Sequence, residues 1–242
     1  LPQLSWGTHI VGGQINYRCL GNDMYEIEFT IFRDCYTGVP DFDYPASVGI
    51  FSFNTAADSF ELVTSINDTL ILTNNVLMRI AANSNYNVSQ IGSKTIITNP
   101  TGPDTLISFG HLLIPFINND TLNPQLSNPC LVIPPNVCVN TTTYLDTIQL
   151  PVIPEGYTLA YQRCCRNESI LNITTPEDVG ATYTAVFTEK ALLECNSSAK
   201  FNDWTPMYIC VNELVDFDHS ATDLDGDSLV YQICVPYEGA NT

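Results

Sequence analysis

Five acidic residues near the end of the chain carry the clearest chemical signal. Asp223, Asp225 and Asp227 alternate around a glycine turn, Asp223-Leu224-Asp225-Gly226-Asp227, and Asp216 and Asp218 lie just upstream. Carboxylates this close repel one another unless neutralised. Together they supply the hard oxygen ligands that calcium takes, so calcium is the expected cofactor. The bland alternative is an acidic, solvated turn. The segment is not an EF-hand: counted from Asp223, the sixth position is Ser228 and the twelfth Cys234, where glycine and glutamate are required. Catalytic signals are missing. His9, His111 and His219 are far apart and none has metal-ligand spacing, and no nucleophile elbow, phosphate loop or dinucleotide fingerprint occurs. No carboxylate pair stands out for glycoside hydrolysis. The expectation is a protein that is not an enzyme. Arg163 and Arg166, two of five arginines, are expected to pair internally with carboxylates, as is Arg33 beside Asp34; an anion site is the alternative.

Nine cysteines are the disulfide candidates: Cys19, Cys35, Cys130, Cys138, Cys164, Cys165, Cys195, Cys210 and Cys234. No C-x-x-C pair is present, which argues against zinc ribbons and thioredoxin-type motifs. Disulfides in an oxidising compartment are the preferred reading over buried free thiols. Cys19–Cys35 and Cys130–Cys138 each flank a short excursion and are the expected pairs. Cys164 and Cys165 adjoin, so in a strand they point to opposite faces. Nine is odd, so at least one thiol is free or pairs outside the chain. N-x-S/T occurs at Asn67, Asn87, Asn119, Asn140, Asn167, Asn172 and Asn196, about half of which chance would supply in so Asn-rich a chain. An Asp-Ser/Thr-aliphatic pattern recurs at Thr69, Thr105, Thr121, Thr147 and Ser228. It resembles the O-glycosylation motif of Bacteroidota periplasmic and surface proteins, although Asp before Thr also starts a strand after a turn.

These groups must be positioned by strands. The chain has 242 residues and a formal charge of −18, from 26 acidic and 8 basic residues. Only 14% of residues are charged and 45% are hydrophobic, a balance unlike disorder. The basic residues are too few and scattered to bind nucleic acid or an anionic membrane surface, and no apolar run is long enough to insert as a spanning helix. Period-two alternation marks strands at 25–32 (YEIEFTIF), 48–53, 142–150, 157–163, 181–188 and 228–235. Residues 105–117 read as a buried strand with a bend at Gly110 or Pro115. Fifteen prolines exclude long helices, and only 189–195 (EKALLEC) looks helical. Short strands between turn clusters predict an all-β, disulfide-stabilised antiparallel β-sandwich, Ig-like or jelly-roll-like. It spans residues 1–203, with a variable insertion at about 52–110. Residues 204–242 read as the first strands of a second Ig-like (PKD- or cadherin-like) domain, too short to bury a core alone, so either they pack back on the first domain or, the preferred reading, the natural chain continues. Residues 1–7 carry no intact signal peptide and read as an ordinary mature terminus.

The segments HIVGG at 9–13, YRCLG at 17–21, YEIEFTIFRDCYTGVP at 25–40, PASVGIF at 45–51, NPCLVIPPNVCV at 128–139, YQRCCRN at 161–167, GATYT at 180–184, CNSSAKFN at 195–202 and 208–237, with HSATDLDGDSLVYQICVPY inside it, carry a family likeness. Through them the chain resembles the N-terminal region of large secreted Bacteroidota surface proteins. These have tandem Ig-like or PKD-like repeats and a gliding-motility-associated C-terminal sorting domain. The resemblance implies type IX secretion and cell-surface or filament display, and no catalytic residues. The expected function is that of an extracellular structural and adhesive protein, part of a surface adhesin or filament subunit. Its partners would be other copies of itself, neighbouring surface proteins or glycans. The alternative is a secreted carbohydrate-binding module, which needs an aromatic platform; Trp6, Trp204 and twelve tyrosines supply material, but no cluster is visible in the sequence.

Overall fold

Alternating residues become strands whose apolar faces meet in one core. The computed structural model describes residues 10–38, 41–54, 59–62, 87–91, 94–98, 111–122, 136–167, 170–204, 212, 214, 216–234, 236 and 237. Strands β1 (Ile10–Gly21) and β2 (Met24–Asp34) form a hairpin whose turn, Gly21-Asn22-Asp23, has positive φ at all three residues. Glycine, asparagine and aspartate tolerate that region best. There follow β3 (Ala46–Asn54), β4 (Ser59–Leu62), β5 (Asn87–Ile91), β6 (Lys94–Thr98), β7 (His111–Ile114), β8 (Phe116–Thr121), β9 (Val139–Gln149), β10 (Tyr157–Arg163) and β11 (Ala181–Phe187). Helix α1 (Glu189–Glu194) and the two-residue strands β12 (Lys200–Phe201) and β13 (Ala221–Thr222) complete the order.

The first sheet runs β1-β2-β9-β8 and the second β11-β10-β3-β4, with β7 also on β3. All these pairings are antiparallel. The fold is the expected all-β sandwich. Inner faces alternate as the sequence requires: Tyr25, Ile27, Phe29 and Ile31 of β2 meet Tyr157, Leu159 and Tyr161 of β10 and Phe187 of β11, all buried. Fully burying one such side chain stabilises by about 1.5–3 kcal/mol. The buried hydroxyls have partners, as burial demands: Tyr144 Oη donates to the Asp43 carbonyl at 2.8 Å and Tyr157 Oη to the Pro151 carbonyl at 2.9 Å. The run 105–117 is not one bent strand: residues 105–110 lie outside the described residues, and β7 and β8 belong to different sheets. Pro115 between them lacks an amide donor, and the chain crosses from the second sheet to the first there.

The disulfides differ from the expected pairs. Cys19 bonds Cys195, and Cys35 bonds Cys138. The β1–β2 register sets Cys19 opposite Tyr25, and Cys35 lies ten residues further along, roughly 33 Å away at the strand rise. Strand pairing, not proximity in sequence, chooses the partners: Asp34 of β2 faces Val139 of β9, which leaves Cys35 beside Cys138. Cys19–Cys195 ties β1 of the first sheet to the end of α1, which follows the second sheet. Cys164 and Cys165 bond each other across a cis peptide instead of facing opposite ways. Cys234 is a free, exposed thiol. Cys130 and Cys210 lie outside the described residues, as do residues 1–7 with Trp6.

Residues 228–234 form no strand, against the alternation in their sequence. Val230 and Ile233 are exposed, and among the described residues no strand pairs with this segment to supply a ladder. The described part of 204–242 instead bonds back to preceding chain: β13 pairs β12, the Asn202 amide donates to the Ser220 carbonyl at 3.0 Å, and the Thr182 amide to the Tyr237 carbonyl at 3.4 Å. No helix among the described residues is long and apolar enough to cross a membrane.

Candidate functional site

The outer face of the first sheet is polar along most of its length. Arg18 of β1 pairs Glu26 of β2 at 2.9 Å, and Lys200 pairs Glu28. At the far end of the sheet the character changes. Phe32 points outward yet is buried, because Trp204 covers it with ring centroids 4.5 Å apart and planes at 74°. Trp204 sits there because the chain after β12 is drawn over the sheet by the β12–β13 pairing. Beside it, Phe201 stacks on His219 at 4.2 Å, and Phe217 lies 5.6 Å from the same imidazole.

Between this covering segment and the sheet runs a groove of about 830 Å³, open to solvent. Its floor is Gly12 and Gly13, without side chains, and Phe32. One end is formed by Tyr36 and Thr37 on one side and Asn136 and Val137 on the other, joined by the Cys35–Cys138 bond. Trp204 is 47% exposed and Tyr36 60%, so both keep ring surface for a ligand. A volume near 830 Å³ falls in the range of small-ligand sites. A second, smaller cavity of about 450 Å³ lies between β1 and β11. Gln14 borders both, and its Nε2 is buried with no hydrogen-bond partner among the described residues.

Asp34 anchors the groove's end. Its carboxylate accepts from the Tyr36 amide at 2.7 Å, Thr37 Oγ1 at 2.7 Å and Asn167 Nδ2 at 2.8 Å. Burial pushes its carboxyl up, but these donors outweigh burial and hold it below the ordinary 3.8. Asp203 is the other carboxylate on the lining, and no lysine or arginine is among the described lining residues. The lining thus offers aromatic faces, amides, hydroxyls and negative charge, which is the chemistry of non-covalent recognition.

The acidic loop occupies a different place. Asp223 Oδ1 accepts from the amides of Asp225 and Asp227, Asp225 Oδ2 from the Ser197 amide, and Asp227 Oδ2 from Asn196 Nδ2. Asp218 accepts from the Ser220 amide, and Asp216 is exposed. Among the described residues no three His, Cys, Asp or Glu side chains form a group that could hold a metal ion. Through the Asp225 and Asp227 contacts the loop docks on residues 196–197.

Arg163 pairs Asp43 at 3.2 Å, as expected of an internal ion pair, and also donates to the Asp41 carbonyl. Arg33 pairs Asp41 at 3.4 Å rather than its neighbour Asp34, and lies over the Phe42 ring. Arg166 donates to the carbonyls of Gly180 and Tyr237 rather than to a carboxylate. Thr121, Thr147 and Ser228 are exposed; Thr69 and Thr105 lie outside the described residues. Among the sequons Asn167 is buried against Asp34. Sequence reasoning missed the groove because its rings come from β2, the turn after it and a segment some 170 residues later; the only local signal was Phe201 and Trp204 three positions apart. The chain matches no protein-family model, no curated protein and no solved structure.

Proposed function

We propose that the chain is an extracellular adhesive domain, part of a bacterial cell-surface adhesin or filament subunit, that grips its target without catalysing a reaction. The observation that carries this reading is the groove, where exposed Trp204 and Tyr36 stand on a scaffold locked by the Cys35–Cys138 bond. Trp204 is packed on Phe32 of the sheet and Tyr36 follows the cross-linked Cys35, so both lose little conformational entropy on binding. The three disulfides among the described residues support an oxidising exterior address, since cytosolic thiols are kept reduced. The strong negative charge favours solubility at a crowded surface. Cross-links between distant parts of the chain suit a domain under mechanical load, because they limit how far it can extend.

The test is retention of the purified, oxidised protein on intact bacterial and host-cell surfaces under flow. Wild-type protein is expected to be retained, and Trp204→Ala to be washed off. No retention on any surface, or retention unchanged by Trp204→Ala, removes the adhesive reading of the groove.

A further inference from the structure

Resting on the reading of the groove as the binding site, we infer that its ligand is a short stretch of neutral glycan. Three features of the lining select that chemistry. Exposed aromatic faces are electron-rich and attract the polarised C–H bonds on the flat side of a sugar ring. Trp204 and Tyr36, both exposed, supply such faces on a lining that also includes Phe32 and the side-chain-free Gly12. The second feature is the polar set. Thr37, Asn136 and Asp203 border the rings, and together they present both donors and acceptors to hydroxyl groups, which are donors and acceptors at once.

The third feature is charge. Asp34 and Asp203 contribute negative charge, and neither lysine nor arginine is on the described lining. Sulfated, sialylated or uronic-acid sugars would meet these two carboxylates, and His219 is the sole basic side chain among the described lining residues. A methylated ammonium would suit negative charge and aromatic rings. Here, however, the rings pack in pairs, Phe32 on Trp204 and Phe201 on His219, instead of enclosing a small cation, and the groove is far larger than such a cage requires. An aromatic groove can also take a proline-rich peptide. Such a peptide has few hydroxyls to satisfy the polar border, so the glycan is favoured.

The experiment uses the oxidised 242-residue chain on an array of neutral and anionic glycans together with proline-rich peptides. Calorimetry on the strongest neutral glycan follows. Tyr36→Ala and Trp204→Ala are expected to weaken binding about tenfold or more, the size typical of central aromatic anchors. Gly12→Leu is expected to abolish it: a Cβ there would meet only the Phe32 ring, at 3.7 Å, so the added side chain grows into the groove. Leu193→Ala, exposed on α1 and off the groove lining, is the control that keeps full affinity. Binding confined to anionic glycans or peptides, no glycan binding, or neutral-glycan binding untouched by the groove variants overturns the inference. The flow assay separates the two claims. Retention that Trp204→Ala abolishes, without glycan binding, sinks the glycan and leaves the adhesive reading standing; wild-type protein that is retained on no surface and binds no glycan sinks both.

Discussion

Gly156 illustrates how much one position can decide. It sits at φ +67° before β10, and a Cβ there would lie 1.8 Å from the Phe187 carbonyl oxygen. Backbone cannot yield as a side-chain tip can, so Gly156→Ala should cost about 3 kcal/mol or more, read by chemical denaturation. Gly21, at φ +83° in open space, provides the contrast: alanine there meets nothing, and only backbone strain of about 1–2 kcal/mol is expected. Asp34 predicts a pH effect. Its folded carboxyl is held below 3.8, so its stabilisation is present above that value and lost as pH falls through the lower, folded one. Asp34→Asn should therefore lower stability at neutral pH, with the gap to wild type closing as the solution is acidified below about pH 3.8. A constant gap across an acid titration would rule out the carboxylate as the cause.

Helix α1 is short, and its ends are fixed individually. Thr188 caps its start, its Oγ1 accepting from the Ala191 amide at 3.0 Å, and Cys195 closes it in the left-handed region. Thr188→Ala should cost about 1 kcal/mol, measured as a drop in unfolding free energy. The helix matters because it delivers Cys195 to Cys19 and then residues 197–198 to the edge of β1. There Ser198 Oγ accepts from the Tyr17 amide at 2.9 Å and Ser197 Oγ from the Cys19 amide at 3.2 Å. These contacts cover part of an edge that would otherwise be open to another strand. The helix was legible in EKALLEC and the sheet edges were not, because a strand's neighbour is chosen by the whole chain.

Across the whole molecule, cross-linking and burial make separate predictions. Without reductant, iodoacetamide should modify Cys234 and leave Cys19, Cys35, Cys138, Cys164, Cys165 and Cys195 unmodified, as read by peptide mass spectrometry. Bridges that close segments of 176 and 103 residues each remove about 4–5 kcal/mol of unfolded-chain entropy in the loop-closure model. The core is also a base-sensitive store. Burial pushes Tyr17, Tyr157 and Tyr183 up from 10.0 to about 12. Their neutral forms are favoured by folding, so that stabilisation is complete below pH 10 and disappears as pH rises toward 12. Ultraviolet titration should show these phenols ionising together with unfolding; titration near the ordinary value in a still-folded protein would contradict their burial.

Residue order alone determined several of the strands, helix α1 and the sandwich, because alternation and capping act over a few neighbouring residues. It left open which cysteines meet, which sheet β7 and β8 join, and whether the aromatic residues gather. Those choices depend on strand register and on where the segment after β12 lies, and both follow from contacts between residues far apart in the chain. The groove exists because that late segment crosses the outer face of an early sheet, and only the tertiary structure brings Phe32 under Trp204.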